Sequence, residues 1–183
     1  MSLSLDIAAC VEGYQPFGDE ASYVIAIDAL ASGRDMAVRS EFDPGHFTAS
    51  GFVASPDRLS LLLIEHAKLG RWLQPGGHME LGDPSVEEAA RREIAEETGI
   101  ASLSRVGTTL VRIDAHEIPP HGGEPGHIHI DLGIGFISHT AEIGPIDEVL
   151  DARWVPFDEL AWFGLDPAGI GGAEGLLRLI DGE

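Results

Sequence analysis

The sequence predicts an α/β fold: a mixed β-sheet with helices packed on it, preceded by a helical N-terminal extension. Three observations predict it. Apolar residues recur at helical spacing between residues 3 and 33. After residue 45 the pattern changes to short alternating runs bounded by Gly and Pro. A strongly acidic helix with clear start and stop signals interrupts those runs from about residue 84.

In order, Leu5, Ile7, Ala8 and Val11 mark one short helix and Val24, Ile27 and Leu30 a second, separated by Gln15-Pro16-Phe17-Gly18-Asp19. A connector from Asp35 ends in Asp43-Pro44-Gly45, which divides the chain into an extension over 1–44 and a main domain over 45–183. Runs at 46–54 and 59–66 read as a hairpin closed by Ser55-Pro56-Asp57-Arg58. After the turn Gln74-Pro75-Gly76-Gly77 comes the helix, about Pro84 to Thr98. Strands follow over Arg105 to His116 and His127 to Ser138, then a short one at Arg153-Trp154-Val155. A helical turn from Phe157 to Phe163 and a helix from Gly172 to Ile180 close the chain. Trp154 and Trp162 are expected in the core. Trp72 is also read as a core residue in preference to a stacking platform for a base.

The 183 residues suffice for one core, and 31 acidic against 11 basic residues give a net charge of −20. Such a field disfavours nucleic acid and anionic membranes as partners. It also repels a free nucleotide, so an anionic substrate has to arrive with metal ions or meet a locally basic pocket. The lone Cys10 excludes an internal disulfide framework and a cysteine zinc cluster. No run is long and apolar enough for a membrane span, and the N-terminus lacks a signal-peptide pattern. The expectation is a cytoplasmic protein.

The acidic helix carries the chemistry. Asp83 can cap it with Pro84 at its first position, or Ser85 and Glu88 can form a capping box, and Gly99 suits its end. Val86, Ala89, Ala90 and Ile94 mark its core face; Glu93 and Glu97 fall in the same sector, with Glu96 beside them. A solvated acidic face is the ordinary reading of a glutamate run. Against it, Glu93 and Glu97 are like charges four apart, and Glu96 and Glu97 stand at the negative end of the helix dipole. Three carboxylates converging on a buried side need a cation, and hard oxygen donors favour Mg²⁺ or Mn²⁺ over zinc. Arg92 can hold a carboxylate in a bidentate fork. Gly76 and Gly77, lacking side chains, let the backbone approach a metal or a phosphate, or simply make a turn.

Taken together, Gly77-His78-Met79-Glu80-Leu81-Gly82-Asp83 and Arg92-Glu93-Ile94-Ala95-Glu96-Glu97-Thr98-Gly99-Ile100 resemble the Nudix box of the Nudix hydrolase family. The second segment matches at every specified position. The first departs twice: Asp83 stands where the family has glutamate, and eight residues rather than seven separate it from Arg92. Arg71-Trp72-Leu73-Gln74-Pro75-Gly76-Gly77 resembles the family's lead-in and Ala152-Arg153-Trp154-Val155-Pro156 its late strand, so the likeness covers roughly 46–160. It implies an α/β/α sandwich, and attack of water on a phosphorus of a nucleoside diphosphate linked to another moiety. It implies Glu93, Glu96, Glu97 and the Gly76 carbonyl as ligands of Mg²⁺ or Mn²⁺, with Glu93 and Arg92 catalytic. Because family members place the base differently, Glu142, Asp147 and Glu148 are further candidates for that role. The extension lies outside this core and is assigned to shaping the substrate pocket or to a homodimer contact.

A second constellation lies in His127-Ile128-His129-Ile130-Asp131-Leu132-Gly133-Ile134-Gly135-Phe136. Alternation puts His127, His129, Asp131, Gly133 and Gly135 on one face and apolar residues on the other. The bare glycines call for close approach by a ligand or a helix. Arg112, Asp114 and His116 alternate likewise and meet this face if the two strands pair. With Arg71, the residues Arg112, His127, His129 and Asp131 are the substrate-binding candidates. Hydrogen-bonded histidines on an exposed sheet face and, less favoured, a zinc site are the alternatives. The function expected is a pyrophosphohydrolase on a nucleotide or nucleotide sugar; the alternative is a catalytically silent nucleotide-sensing module. A diphosphate isomerase on the same fold is a third reading, and Cys10 in the extension lends it no support.

Overall fold

The structure, a computed structural model, describes residues 2–67, 69–144 and 149–182. Helices α1 (Leu3–Glu12) and α2 (Glu20–Ala31) precede strands β1 (Gly45–Ala54), β2 (Ser60–His66), β3 (Arg71–Leu73) and β4 (Gly76–His78). Helix α3 (Val86–Thr98) follows, then β5 (Leu103–Arg105), β6 (Arg112–Ile118), β7 (His127–Ser138), β8 (Asp151–Pro156) and helix α4 (Pro167–Asp181). The strands form a mixed sheet with the spine β3-β2-β1-β7-β5, to which β4 joins on β1, β6 on β7 and β8 on β2. β1 and β7 run parallel along their length, from Gly45↔Ile128 to Ala54↔Ile137; the other pairs are antiparallel.

The α/β class read from the sequence holds, with three local corrections. The single strand expected from Arg105 to His116 is two. Arg105 pairs with Phe136 and Arg112 with Gly133, so seven residues of chain (112 − 105) span three on β7 (136 − 133), and the excess loops out through Gly107 at φ 66°. Helix α4 begins earlier than expected because Asp166 caps it, accepting from the Gly169 N–H at 2.8 Å, with Pro167 in the first turn. Trp162 is no core residue: it is 85% exposed. Trp154 is partly buried, and its indole N–H donates to the Ala141 carbonyl at 2.9 Å.

Strand alternation divides the core in two. On one face Phe47, Ala49 and Val53 of β1 join Ile130, Leu132, Ile134 and Phe136 of β7 beneath α1, α2 and α3. On the other, Phe52 and Ala54 join Leu61, Leu63, Val155 and Leu176 of α4. The extension shares the first core through Ile7, Val11, Ala26 and Ala29. It also closes the free edge of β6: Asp19 accepts the Ile113 N–H at 3.0 Å and Ser22 Oγ the Ala115 N–H at 3.0 Å. Asp6 of α1 accepts the Val86 N–H at 2.8 Å, satisfying a donor at the start of α3. Burial pushes the Cys10 thiol up to about 11, which leaves it without thiolate character at neutral pH.

Candidate functional site

Helix α3 is capped by Ser85, whose hydroxyl accepts from the Glu88 N–H at 3.2 Å, and ended by Gly99 at φ 70°. Ser85 rather than Asp83 is therefore the cap, and Asp83 is released for another task. Val86, Ala89, Ala90 and Ile94 are fully buried, as their spacing predicted, and Ile94 lies so close to β1 that a Cβ on Gly51 would stand 2.3 Å from its Cδ1. This seating lays the second half of α3 along β4. Glu97, 7% exposed, accepts the Gly76 N–H at 2.9 Å. The Glu93 carboxylate lies against Gly77, where a Cβ would come within 2.7 Å of its oxygen, so any other residue there displaces it.

Arg92 organises the cluster. It donates to both oxygens of Asp83 (3.2 and 2.9 Å), to the His78 carbonyl at 2.9 Å, to Glu93 at 2.7 Å and to Glu96 at 3.1 Å. Burial works to raise the Asp83 carboxyl, yet the bonds from Arg92 and the Glu80 N–H hold it below the usual range. Its carboxylates in turn raise the Arg92 guanidinium further. The aspartate that departs from the box thus anchors the arginine from the loop before α3. Glu93, Glu96, Glu97 and the Gly76 backbone present hard oxygens beside a strand segment bare of side chains, a donor set that fits Mg²⁺ or Mn²⁺.

The opposite sheet face is split between a helix and a polar field. The glycines expected to admit a close neighbour do so: a Cβ on Gly135 would meet Leu176 of α4 at 2.9 Å, and one on Gly172 of α4 would meet the Phe52 ring at 2.1 Å. Arg112, from β6, lies beneath the same helix, its guanidinium against Gly171, with its Nε buried and unpartnered. Beyond α4 the face turns polar. Asp131 is buried and accepts from Thr48 Oγ1 at 2.9 Å and from Ser50 Oγ, while burial raises its carboxyl. Asp114 pairs with Asp131 and His116 with His129 across β6 and β7, as the two alternations required.

Next to Asp131 five of the chain's eight histidines converge. His129 has ring-centroid distances of 4.7 Å to His46, 5.0 Å to His78, 5.0 Å to His127 and 5.8 Å to His116. Burial first, and the neighbouring rings second, push His129 down to about 3 and lower His46, so both are neutral at pH 7. His116 moves up, because Asp114 accepts from it at 2.9 Å. Sequence reasoning missed His46 and His78. The signal for His46 was its alternation with Thr48 and Ser50, but only the β1–β7 register places it opposite His129.

The other candidates are scattered. Arg71 forms an exposed ion pair with Asp166 at 3.3 Å, at the start of α4. Trp72 packs against Phe163 at 4.9 Å between ring centroids, in keeping with a core role. Glu142 is exposed on the loop after β7; Asp147 and Glu148 lie outside the described residues. A cavity of about 400 Å³ opens beside the histidines, lined by Arg39, Phe42, Met79 and Leu81 among others. Phe42 packs on His127 at 4.9 Å between centroids. Among the described residues no helix is long and apolar enough to cross a membrane.

A mixed sheet flanked by helices, with a glutamate-bearing helix docked beside a glycine strand, places the chain among the α/β proteins. The comparisons name the family: the NUDIX domain model matches residues 45–177, and the chain belongs to that family. A NUDIX-family hydrolase from Clostridium perfringens is similar at 24% identity and TM-score 0.58, over 73% of this chain and 97% of that one. The dihydroneopterin triphosphate pyrophosphohydrolase of E. coli matches at 18% identity and TM-score 0.55, over 74% and 95%. The NUDIX domain of Shewanella oneidensis NrtR, complexed with ADP ribose, matches at 18% and TM-score 0.53, over 84% and 97%. No curated protein matches the chain.

Proposed function

We propose that the chain is a metal-dependent pyrophosphohydrolase that cleaves a phosphoanhydride bond in a nucleoside diphosphate linked to a second moiety. The observation that carries this reading is the Glu93-Glu96-Glu97 cluster, held by Arg92 and Asp83 against the bare backbone of Gly77. Residues 45–183 form the catalytic domain and residues 1–44 a helical extension to it. Glu93, Glu96, Glu97 and the Gly76 carbonyl are the residues that would hold Mg²⁺ or Mn²⁺. Bound there, the ion supplies neutralisation of phosphate charge and acidification of water.

The chain's own residues do the rest. Glu93, restrained by Arg92 and by contact with Gly77, is our candidate to accept a proton from the attacking water. Arg92 keeps Glu93 and Glu96 from relaxing apart under mutual repulsion. The polar face that includes His127, His129 and Asp131, with the cavity beside Phe42, offers the substrate imidazole nitrogens and an aromatic wall. Arg112 and Arg71 stand at the α4 side of this face as candidate counter-charges for substrate phosphate. The E. coli relative named above is a triphosphate pyrophosphohydrolase, which supports the reaction class.

The test is a mass-spectrometric screen of nucleoside triphosphates, dinucleoside polyphosphates, ADP-ribose and nucleotide sugars, each with Mg²⁺, with Mn²⁺ and with chelator. Metal-dependent cleavage at a phosphoanhydride is expected. Tight binding without cleavage across the panel would replace the hydrolase reading with a nucleotide-sensing module.

A further inference from the structure

We propose that His46, His127 and His129 form a second metal site, one that binds a single Zn²⁺ ion and is separate from the carboxylates of α3. Among the described residues these three form a group whose ligand atoms all lie within 4.8 Å of one another. They come from β1 and β7, adjacent parallel strands, with His46 directly opposite His129. The group lies on the sheet face away from α3, so the two centres have different walls. They approach each other at β4, where the His78 carbonyl accepts from Arg92.

The hydrogen bonds of two of the three rings are those of ligating histidines. His46 Nδ1 is 2.9 Å from the Glu41 carbonyl, so it is the donor there and Nε2 is left with a lone pair. That Nε2 is buried, in a residue 1% exposed, and has no hydrogen-bond partner. An unpartnered buried acceptor is costly to maintain. His127 repeats the pattern: Nδ1 is 2.9 Å from the Pro125 carbonyl, which again leaves Nε2 as the ligating atom. Carbonyl acceptors behind metal-binding imidazoles fix tautomer and ring orientation in this way.

The donor set decides the metal. Three imidazole nitrogens suit zinc and its neighbours late in the first transition row, whereas Mg²⁺ and Mn²⁺ prefer the oxygens of α3. Three protein ligands leave one tetrahedral position for water or an anionic oxygen, unless His78, 5.1 Å from His46 between centroids, takes it. A dication here also offsets part of the −20 charge that opposes an anionic ligand.

The experiment is a Zn²⁺ titration of the untagged, chelator-stripped full chain in excess Mg²⁺, read by calorimetry and by X-ray absorption at the zinc edge. One Zn²⁺ per chain is expected, not displaced by Mg²⁺, with nitrogen neighbours at about 2.0 Å. Binding should persist in Glu97→Gln and weaken by at least about tenfold in His127→Gln and His129→Gln, outer-shell losses setting that lower bound. Circular dichroism separates this from misfolding, and the zinc-edge spectrum of the unaltered chain needs no variant at all. Oxygen-dominated coordination, displacement by Mg²⁺, loss in Glu97→Gln with retention in His127→Gln, or no binding overturns the proposal. Because zinc binding is read without turnover, it stands or falls separately from the hydrolase reading.

Discussion

The two faces of one sheet hold two clusters of ionisable groups built on opposite plans. On the α3 face, Glu93, Glu96 and Glu97 come from a single helix, and an arginine next in sequence supplies the countercharge. On the other face, the histidines come from four strands, β1, β4, β6 and β7. The first cluster is charged and restrained by ion pairs. In the second, burial and then the neighbouring rings lower the proton affinity of His129, while Asp114 raises that of His116. The same strands thus separate hard oxygen donors from softer nitrogen donors, the two chemistries that select different metals.

The largest test of that division is Glu97→Gln. Metal-dependent turnover should fall by roughly 100-fold or more, on the scale of losing one electrostatic contact to a transition state, while the fold persists. Undiminished turnover removes the carboxylate centre. Gly77→Ala comes next: its Cβ would press on the Glu93 oxygens at 2.7 Å, so Mg²⁺ affinity and turnover should drop together while zinc binding on the far face is retained. Loss of both would show that the faces are not independent.

Asp83→Ala should cost about tenfold in turnover by releasing Arg92, with partial recovery in Asp83→Glu, as expected for an outer-shell partner. A loss equal to that of Glu97→Gln would make Asp83 part of the reacting centre. Asp19→Ala leaves the buried Ile113 N–H unpaired and should destabilise the chain by about 1–3 kcal/mol in denaturant unfolding. An unchanged midpoint would mean that the extension does not close the β6 edge.

The smallest expected effect is Glu87→Gln, a carboxylate of α3 outside both clusters. Glu87 is lowered despite burial by its bonds to Arg91 and Arg105. Its contribution, on the order of 1 kcal/mol for a partly exposed network, is therefore present above the unfolded value near 4.5 and lost as pH falls through the lower folded value. The variant and the parent should differ in stability at pH 7 and converge in acid. A difference that persists once Glu87 is protonated in both states would mean packing rather than charge.

What the sequence alone determined are the features written at short range. The caps of α3, the glutamate spacing, the bare turn before it and the alternation of β7 all depend on residues within a few positions of each other, so periodicity and motif exposed them. The NUDIX family and the α/β class followed from the same local signals, and the family model shows that family over residues 45–177. The tertiary structure decided whatever depends on register. It put His46 opposite His129, placed Arg112 under α4, left Trp162 in solvent and made Asp83 the anchor of Arg92. The physical reason is that a strand pattern tells which side chains share a face but not which strand lies alongside, and a one-residue shift of pairing sends every side chain to the other face. The carboxylate centre was legible because one helix carries it; the histidine centre exists only once the strands are in place.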